Sequence, residues 1–168
     1  ASTATSVCTI RAPHPVRVRY ASLIASAAAP VGDVTLTLTP ELRKIPSVLV
    51  LADLGCGRAR MGGSILAQVA QRFGDTAPDC EDPAMLARFM GALRTLVNEG
   101  AVVAYHDRAD GGLAATASEM MFASRLGVKL DLTSLTKDAD VFAALFNEEL
   151  GGLMQVPAEK AARVAEVM

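Results

Sequence analysis

The chain of 168 residues has no tryptophan and few rings of any kind, with aromatics at 4% against 51% hydrophobic residues. A core without large rings must be built from Ala, Val, Leu and Met, which suits packed helices better than a sheet sandwich. Cysteine is scarce as well. Cys8, Cys56 and Cys80 are odd in number, widely spaced and include no Cys-x-x-Cys pair. That excludes a zinc site or a disulfide framework and fits buried free thiols in a reducing compartment. No apolar run approaches the roughly 20 residues that span a bilayer. The first residues also lack the charged start and long apolar core of a secretory signal. Charge of one sign is missing too, because a net charge of −2 offers no basic face to nucleic acid or anionic lipid. The expectation is a soluble cytoplasmic protein whose partners are neither nucleic acids nor membranes.

What is present is enough chain for one domain with a substantial core. Residues Ala1 to Arg19 mix Ser, Thr, Pro and Arg without a period and read as extended or disordered. Leu23 to Ala29 is small and apolar, consistent with a buried strand, and Val34 to Leu38 reads as a strand or an extended loop. Val48 to Ala52 is a buried strand that stops at Asp53-Leu54-Gly55-Cys56-Gly57. From Ser64 a helix is expected to bury Ile65, Leu66, Val69, Ala70 and Phe73. Asp82-Pro83 caps a second helix with the stripe Leu86, Phe89, Met90, Leu93, Leu96 and Val97, ended by Gly100.

Ala101 to Tyr105 is the next buried strand. A helix carrying Leu113, Ala117, Met120, Met121 and Ser124 follows, then a strand from Val128 to Leu132 and a short helix from Val141 to Phe146. Leu153 to Val156 forms a last strand, and Pro157 opens a last helix. Strands alternate with helices, yet some strands are joined without one. The pattern predicts an α+β domain, a mixed sheet covered by helices in α/β/α layers. The first residue is not Met and the last helix has no stop signal, so both ends read as cut.

The densest chemistry lies in Ala104-Tyr105-His106-Asp107-Arg108-Ala109-Asp110-Gly111-Gly112-Leu113. A strand ending in acidic residues and turning through Gly-Gly into a helix suits a magnesium-bound phosphate. The carboxylates can hold the metal and the first-turn N–H groups face the anion. The plainer alternative makes Asp110 a helix cap, Asp107 a loop carboxylate and the glycines turn residues. His106 could be a general base, a phosphate donor or a packed core histidine. Beside a metal-binding aspartate an orienting or structural role is favoured, since chain order pairs no nucleophile with it.

A second glycine-rich turn, Asp53 to Ser64, also joins a strand to a helix. It is neither a P-loop nor a dinucleotide fingerprint. Gly62, Gly63 and Ser64, with Arg58 and Arg60 nearby, make either an anion pocket or a plain capped turn. Asn147-Glu148-Glu149 reads most simply as solvated charge between a helix and a strand.

These residues together resemble a known family. Ala104 to Leu113 is similar to the His-Asp-x-Ser-Asp-Gly-Gly-Leu signature of the phosphoribosylformylglycinamidine synthases (formylglycinamide ribonucleotide amidotransferases). Supporting segments follow in family order: Ala25 to Pro40, Leu51 to Gly57, Gly62 to Val69 and Phe146 to Gly151. The resemblance runs over about residues 22 to 168. It implies the C-terminal domain type of the aminoimidazole ribonucleotide synthetase superfamily over residues 21–168, with residues 1–20 unaligned. The chain looks like this domain of the second such module in the long, single-chain form.

The implied activity is an ATP- and glutamine-dependent ligase of purine biosynthesis. ATP activates the amide oxygen of formylglycinamide ribonucleotide, and ammonia from glutamine displaces phosphate to give the amidine. The implied cofactors are ATP or ADP and Mg2+. The implied partners are that ribonucleotide and the remaining synthetase and glutaminase domains of a longer chain, without which this piece would be inactive. Asp107 falls on the family's metal position. Gly62, Gly63, Ser64, His106, Ala109, Asp110, Gly111 and Gly112 fall on or beside its nucleotide-phosphate segments. No catalytic residue is assigned. Ala109 departs from the family serine and removes a hydroxyl that could bond a phosphate oxygen. The alternative within the same enzyme is a non-catalytic scaffold holding a structural Mg-nucleotide.

Overall fold

The computed structural model describes residue 26 and residues 28–74, 76–136 and 140–168. It divides into two units. In the first, the described residues 26 and 28–32 are exposed and in neither helix nor strand. Ala28 and Ala29 therefore do not extend the strand expected from Leu23, whose other residues lie outside the described ones or are likewise exposed. The expectations for residues 1–20 lie outside the described residues too. Everything below concerns the second unit, residues 33–168.

Three strands, β1 (Ser47–Asp53), β2 (Ala104–Asp107) and β3 (Gly151–Pro157), form one sheet in the order β1-β3-β2. Both β1 and β2 pair with β3 antiparallel, so the described sheet is antiparallel rather than mixed. The reason lies in the connections. β1 and β2 run the same way, joined by a helical crossover, and β3 comes last to fill the gap between them. Their shared direction is what made the alternation of strands and helices look partly parallel. The central β3 is buried along nearly its whole length, whereas β1, at the edge, is only half-buried.

Helices cover both faces. Val50, Ala52, Tyr105, Met154 and Val156 project from one face into a core with Phe89, Leu93 and Leu96 of α2 (Pro83–Asn98) and Val164 of α5 (Ala161–Val167). Leu49, Leu51, Ala104 and Leu153 project from the other against Leu113, Ala117 and Met120 of α3 (Gly112–Ser124). The α/β/α layering follows from strand alternation, because successive residues of β1 and β3 serve opposite cores. At the centre Gln155, 3% exposed, exchanges hydrogen bonds with the backbone of Arg43 at 2.7 Å each way.

Asp82 caps α2 by accepting the Ala84 N–H at 2.9 Å, with Pro83 opening the helix as expected. Of its stripe, only Met90 stays largely exposed. Lys160 closes its far end on the carbonyls of Glu99 and Gly100. Three expectations fail locally. Val34–Leu36 is a 3-10 turn, neither the strand nor the extended loop expected there, and only Thr37 and Leu38 of that stretch are irregular chain. The helix after Ser64, α1 (Ile65–Val69), stops after five residues because Arg72 and Gly63 bond across to Ala67 O and Phe73 O and fold the chain back. It buries Ala67 and leaves Val69 and Phe73 exposed. Finally, Val128 to Leu132 keeps its alternation of inward and outward side chains but belongs to no strand. No helix among the described residues is long and apolar enough to cross a membrane.

Candidate functional site

The acidic turn is positioned by β2. The Arg108 N–H bonds Gly151 O at 2.9 Å and extends the ladder one step beyond Asp107. Gly111 then takes φ 85 and Gly112 φ 65, and α3 begins. Opposite Gly112 lies the end of α4 (Val141–Phe146). A Cβ on Gly112 would stand 2.6 Å from Asn147 O and 2.7 Å from Leu145 O. The turn is thus seated against the segment that follows α4.

Strand register separates the turn's polar residues. His106 pairs with Leu153 and faces α3, where its Nε2 lies 2.7 Å from Glu119 Oε2. Asp107 pairs with Gly152 and faces the other side, with Tyr105. The Tyr105 ring packs where a Gly152 side chain would be, 2.6 Å from that glycine's would-be Cβ. Burial first, then the hydrogen bond and charge of Asp107, push the Tyr105 phenol up. His106 and Asp107, adjacent in sequence, therefore do not share a site face.

Arg108 is not available to a ligand. It is 8% exposed, and its guanidinium donates to Asp53 Oδ1 at 2.6 Å, Leu150 O at 2.8 Å and Glu149 O at 2.5 Å. It clips the ends of β1 and β2 to the approach of β3. Asp107, Ala109 and Asp110 are exposed. Asp110 does not cap α3, since Gly111, which has no side chain to offer, occupies the cap position.

The second turn is more closed than its sequence suggests. Gly62 N–H donates to Thr76 O, Gly63 N–H to Phe73 O and Ser64 N–H to Met61 O. Buried Ser64 caps α1 through the Ala67 N–H and donates to Met61 O. Arg60 grips Glu149 with two hydrogen bonds of 2.7 Å and also meets Glu81 at 2.6 Å. Arg58 meets the same Glu81 at 2.7 Å. The Glu149 bond, foremost, holds the Arg60 guanidinium above its ordinary value against the opposing effect of burial. Arg60 is thus not left for an anion, whereas Arg58 is half exposed and meets Glu81 through one nitrogen.

The residues read as solvated charge are central instead. Asn147 is 4% exposed and Glu149 fully buried. Burial pushes the Glu149 carboxyl up, but the Arg60 hydrogen bonds and the charges of Arg60 and Arg108 outweigh it and hold it low. Glu148 Oε1 accepts the Ile65 N–H and the Gly111 N–H, both at 2.8 Å. The openings of α1 and α3, the two turns picked out as phosphate candidates, thus meet on one carboxylate. The signal in the sequence was two acids set between apolar Phe146 and Leu150, but their partners lie far away along the chain.

A cation would find Asp107 exposed beside the opening of α3. Among the described residues no three His, Cys, Asp or Glu side chains converge closely enough to hold one alone. That fits Mg2+, which takes one or two carboxylates and completes its shell with water and phosphate oxygens. A cavity of about 910 Å3 lies elsewhere, against Leu42, Leu49, Leu51, Leu130 and Leu153, and none of the candidate residues lines it.

Residues 47–168 match the family described as AIR synthase related protein, C-terminal domain. The chain belongs to this family. The AIR-synthase-related domain also has solved counterparts. Thermotoga maritima PurL complexed with FGAR matches with a TM-score of 0.61 at 23% identity, over 80% of this chain and 23% of that one. PurL complexed with ATP gives 0.57 at 19% identity, and PurL complexed with ADP 0.56 at 18%, each over 80% of this chain and 21% of the other. At these identities the likeness establishes the fold. The AIR-synthase-related chain spans less than a quarter of the length of these relatives.

Proposed function

We propose that this domain works within a phosphoribosylformylglycinamidine synthase, the ATP- and glutamine-dependent ligase that converts formylglycinamide ribonucleotide to its amidine in the cytoplasm. Its acidic turn holds the magnesium of a bound ATP or ADP. The observation that carries the reading is the exposed carboxylate of Asp107 at the end of β2, directly before the Gly111-Gly112 opening of α3. It is supported by the family and by structurally similar PurL chains solved with ATP, ADP and FGAR. Bound magnesium would neutralise phosphate charge, and Asp107 would anchor it, with exposed Asp110 alongside.

The phosphates would lie against the first turn of α3. Gly111 and Gly112 shape that turn, and Ala109 leaves its rim open. Their own N–H groups are already taken, by Glu148 and by Ala109 O. Gly62, Gly63 and Ser64 form the adjoining wall through position rather than free donors. His106, bonded to Glu119, orients β2 against α3 from the opposite face.

The candidate residues hold and orient, and no catalytic residue is assigned among them. The remaining synthetase domains and a glutaminase would supply the reacting centre, so the domain alone would not turn over. A second reading is favoured by the occupied N–H groups and the engaged Arg60 and Arg108: a scaffold that holds a structural Mg-nucleotide remote from the reaction.

Asp107→Ala is the test. Titration with Mg-ADP should show affinity reduced at least about tenfold, the order expected for losing a charged ligand contact. Unchanged affinity removes the metal role. If affinity falls while turnover of the complete enzyme is unchanged, the scaffold reading stands and the catalytic one is lost.

A further inference from the structure

Glu148 does something that neither glycine turn can do alone. Its Oε1 accepts one N–H from the start of α1 and one from the start of α3, each at 2.8 Å. Among the described residues, no other side chain hydrogen-bonds to both helix starts. Its backbone is fixed on either side. Asn147 Nδ2 donates to Ala143 O, closing α4, and Asn147 Oδ1 accepts the Glu149 N–H at 3.3 Å. Next to it Glu149 is locked by Arg60, and across from it the carbonyls of Leu145 and Asn147 pack on Gly112. The carboxylate therefore stands on an anchored segment and reaches into two turns that have no such anchor in common.

We propose that Glu148 is a positioning residue that couples the two glycine turns, so that they open and close as one unit and set the Asp107–Asp110 loop. The charge suits the task, because both donors lie at helix N-termini, where a carboxylate is favoured and its hydrogen bonds are strengthened. The role also explains why a partly exposed acid sits amid other acids. Its Oε1 is committed to two N–H groups. The positioning role rests on the Mg-nucleotide reading above, whereas the coupling of the turns does not.

Amide hydrogen exchange and Mg-ADP titration of the full chain test both parts. In the wild type one departure of the carboxylate frees both amides, so Ile65 and Gly111 should show protection equal to within about threefold. Glu148→Ala should speed exchange at both and weaken Mg-ADP by at least about tenfold. Glu148→Gln, which keeps the accepting oxygen but loses the charge, should restore both in part. Unequal protection in the wild type overturns the coupling.

Wild-type affinity in Glu148→Ala overturns the positioning role while leaving the Asp107 reading in place, and failure of Glu148→Gln to rescue does the same. If Glu148→Ala does not fold, Glu148→Asp replaces it. One methylene shorter, it cannot reach both donors, so equal protection together with wild-type affinity overturns the proposal. A wild-type chain that takes no Mg-ADP overturns the nucleotide reading and the positioning role together.

Discussion

Glu149 has no exposed surface, yet it is held as a carboxylate by the Arg60 fork and by Arg108 nearby. Removing one partner of a buried pair is costly because the other charge remains. Glu149→Gln should lower stability by about 3 kcal/mol in denaturant unfolding. The pH dependence has a definite sign. The folded carboxyl lies below the ordinary glutamate value of 4.5, so its contribution is complete above that value and is lost as pH falls through the folded one. The wild type should lose stability on acidification below about pH 4.5, and Glu149→Gln should lose less over the same range. An equal acid slope in both proteins would assign the loss to other carboxylates. None of this was legible in the sequence. Glu149 looks like loop charge until folding brings Arg60 to it, and residue type alone does not reveal a partner 89 positions away.

Among the elements, the first turns of the helices carry the sharpest consequences. Gly112 combines φ 65 with backbone carbonyls 2.6 and 2.7 Å from any Cβ, and carbonyls cannot swing aside as a side chain can. Gly63 has a similar φ of 73 but open space around it. Gly63→Ala should therefore cost about 1 kcal/mol, the left-handed penalty alone. Gly112→Ala should cost about 3 kcal/mol or more, as backbone overpacking adds to that penalty. Comparable losses for the two in thermal or denaturant melts would mean that α4 yields at its end.

The elements themselves were largely readable where local chemistry decides them. Asp82-Pro83 marks the start of α2 because a cap and a preset φ act within a few residues. Val128 to Leu132 was not. Its alternation sets which side chains face the core, but a strand also needs a neighbouring backbone, and among the described residues none pairs with it.

At the largest scale, the described residues of the second unit form one sheet between two helical layers. Leu96 is fully buried on the α2–α5 side and Met120 on the α3 side. Leu96→Ala and Met120→Ala should each cost about 3 kcal/mol, with near-additive losses, because the sites lie on opposite faces without shared partners. Since β3 contributes Met154 to one core and Leu153 to the other, either variant should still unfold in a single transition. Two separate transitions would show that the layers fold independently.

By itself the sequence determined the Asp82-Pro83 start of α2, the runs of β1 and β3, the α+β layering and the Ala104–Leu113 turn from which the family can be read. Those are properties of neighbours along the chain, set by periodicity, φ preferences and capping. Only the tertiary structure decided that β3 separates β1 from β2, and that His106 and Asp107 face opposite ways. It also took Arg60 out of the anion pocket and joined the two glycine turns through Glu148. Each of these depends on groups far apart in sequence, whose hydrogen bonds and ion pairs exist only once the layers have packed.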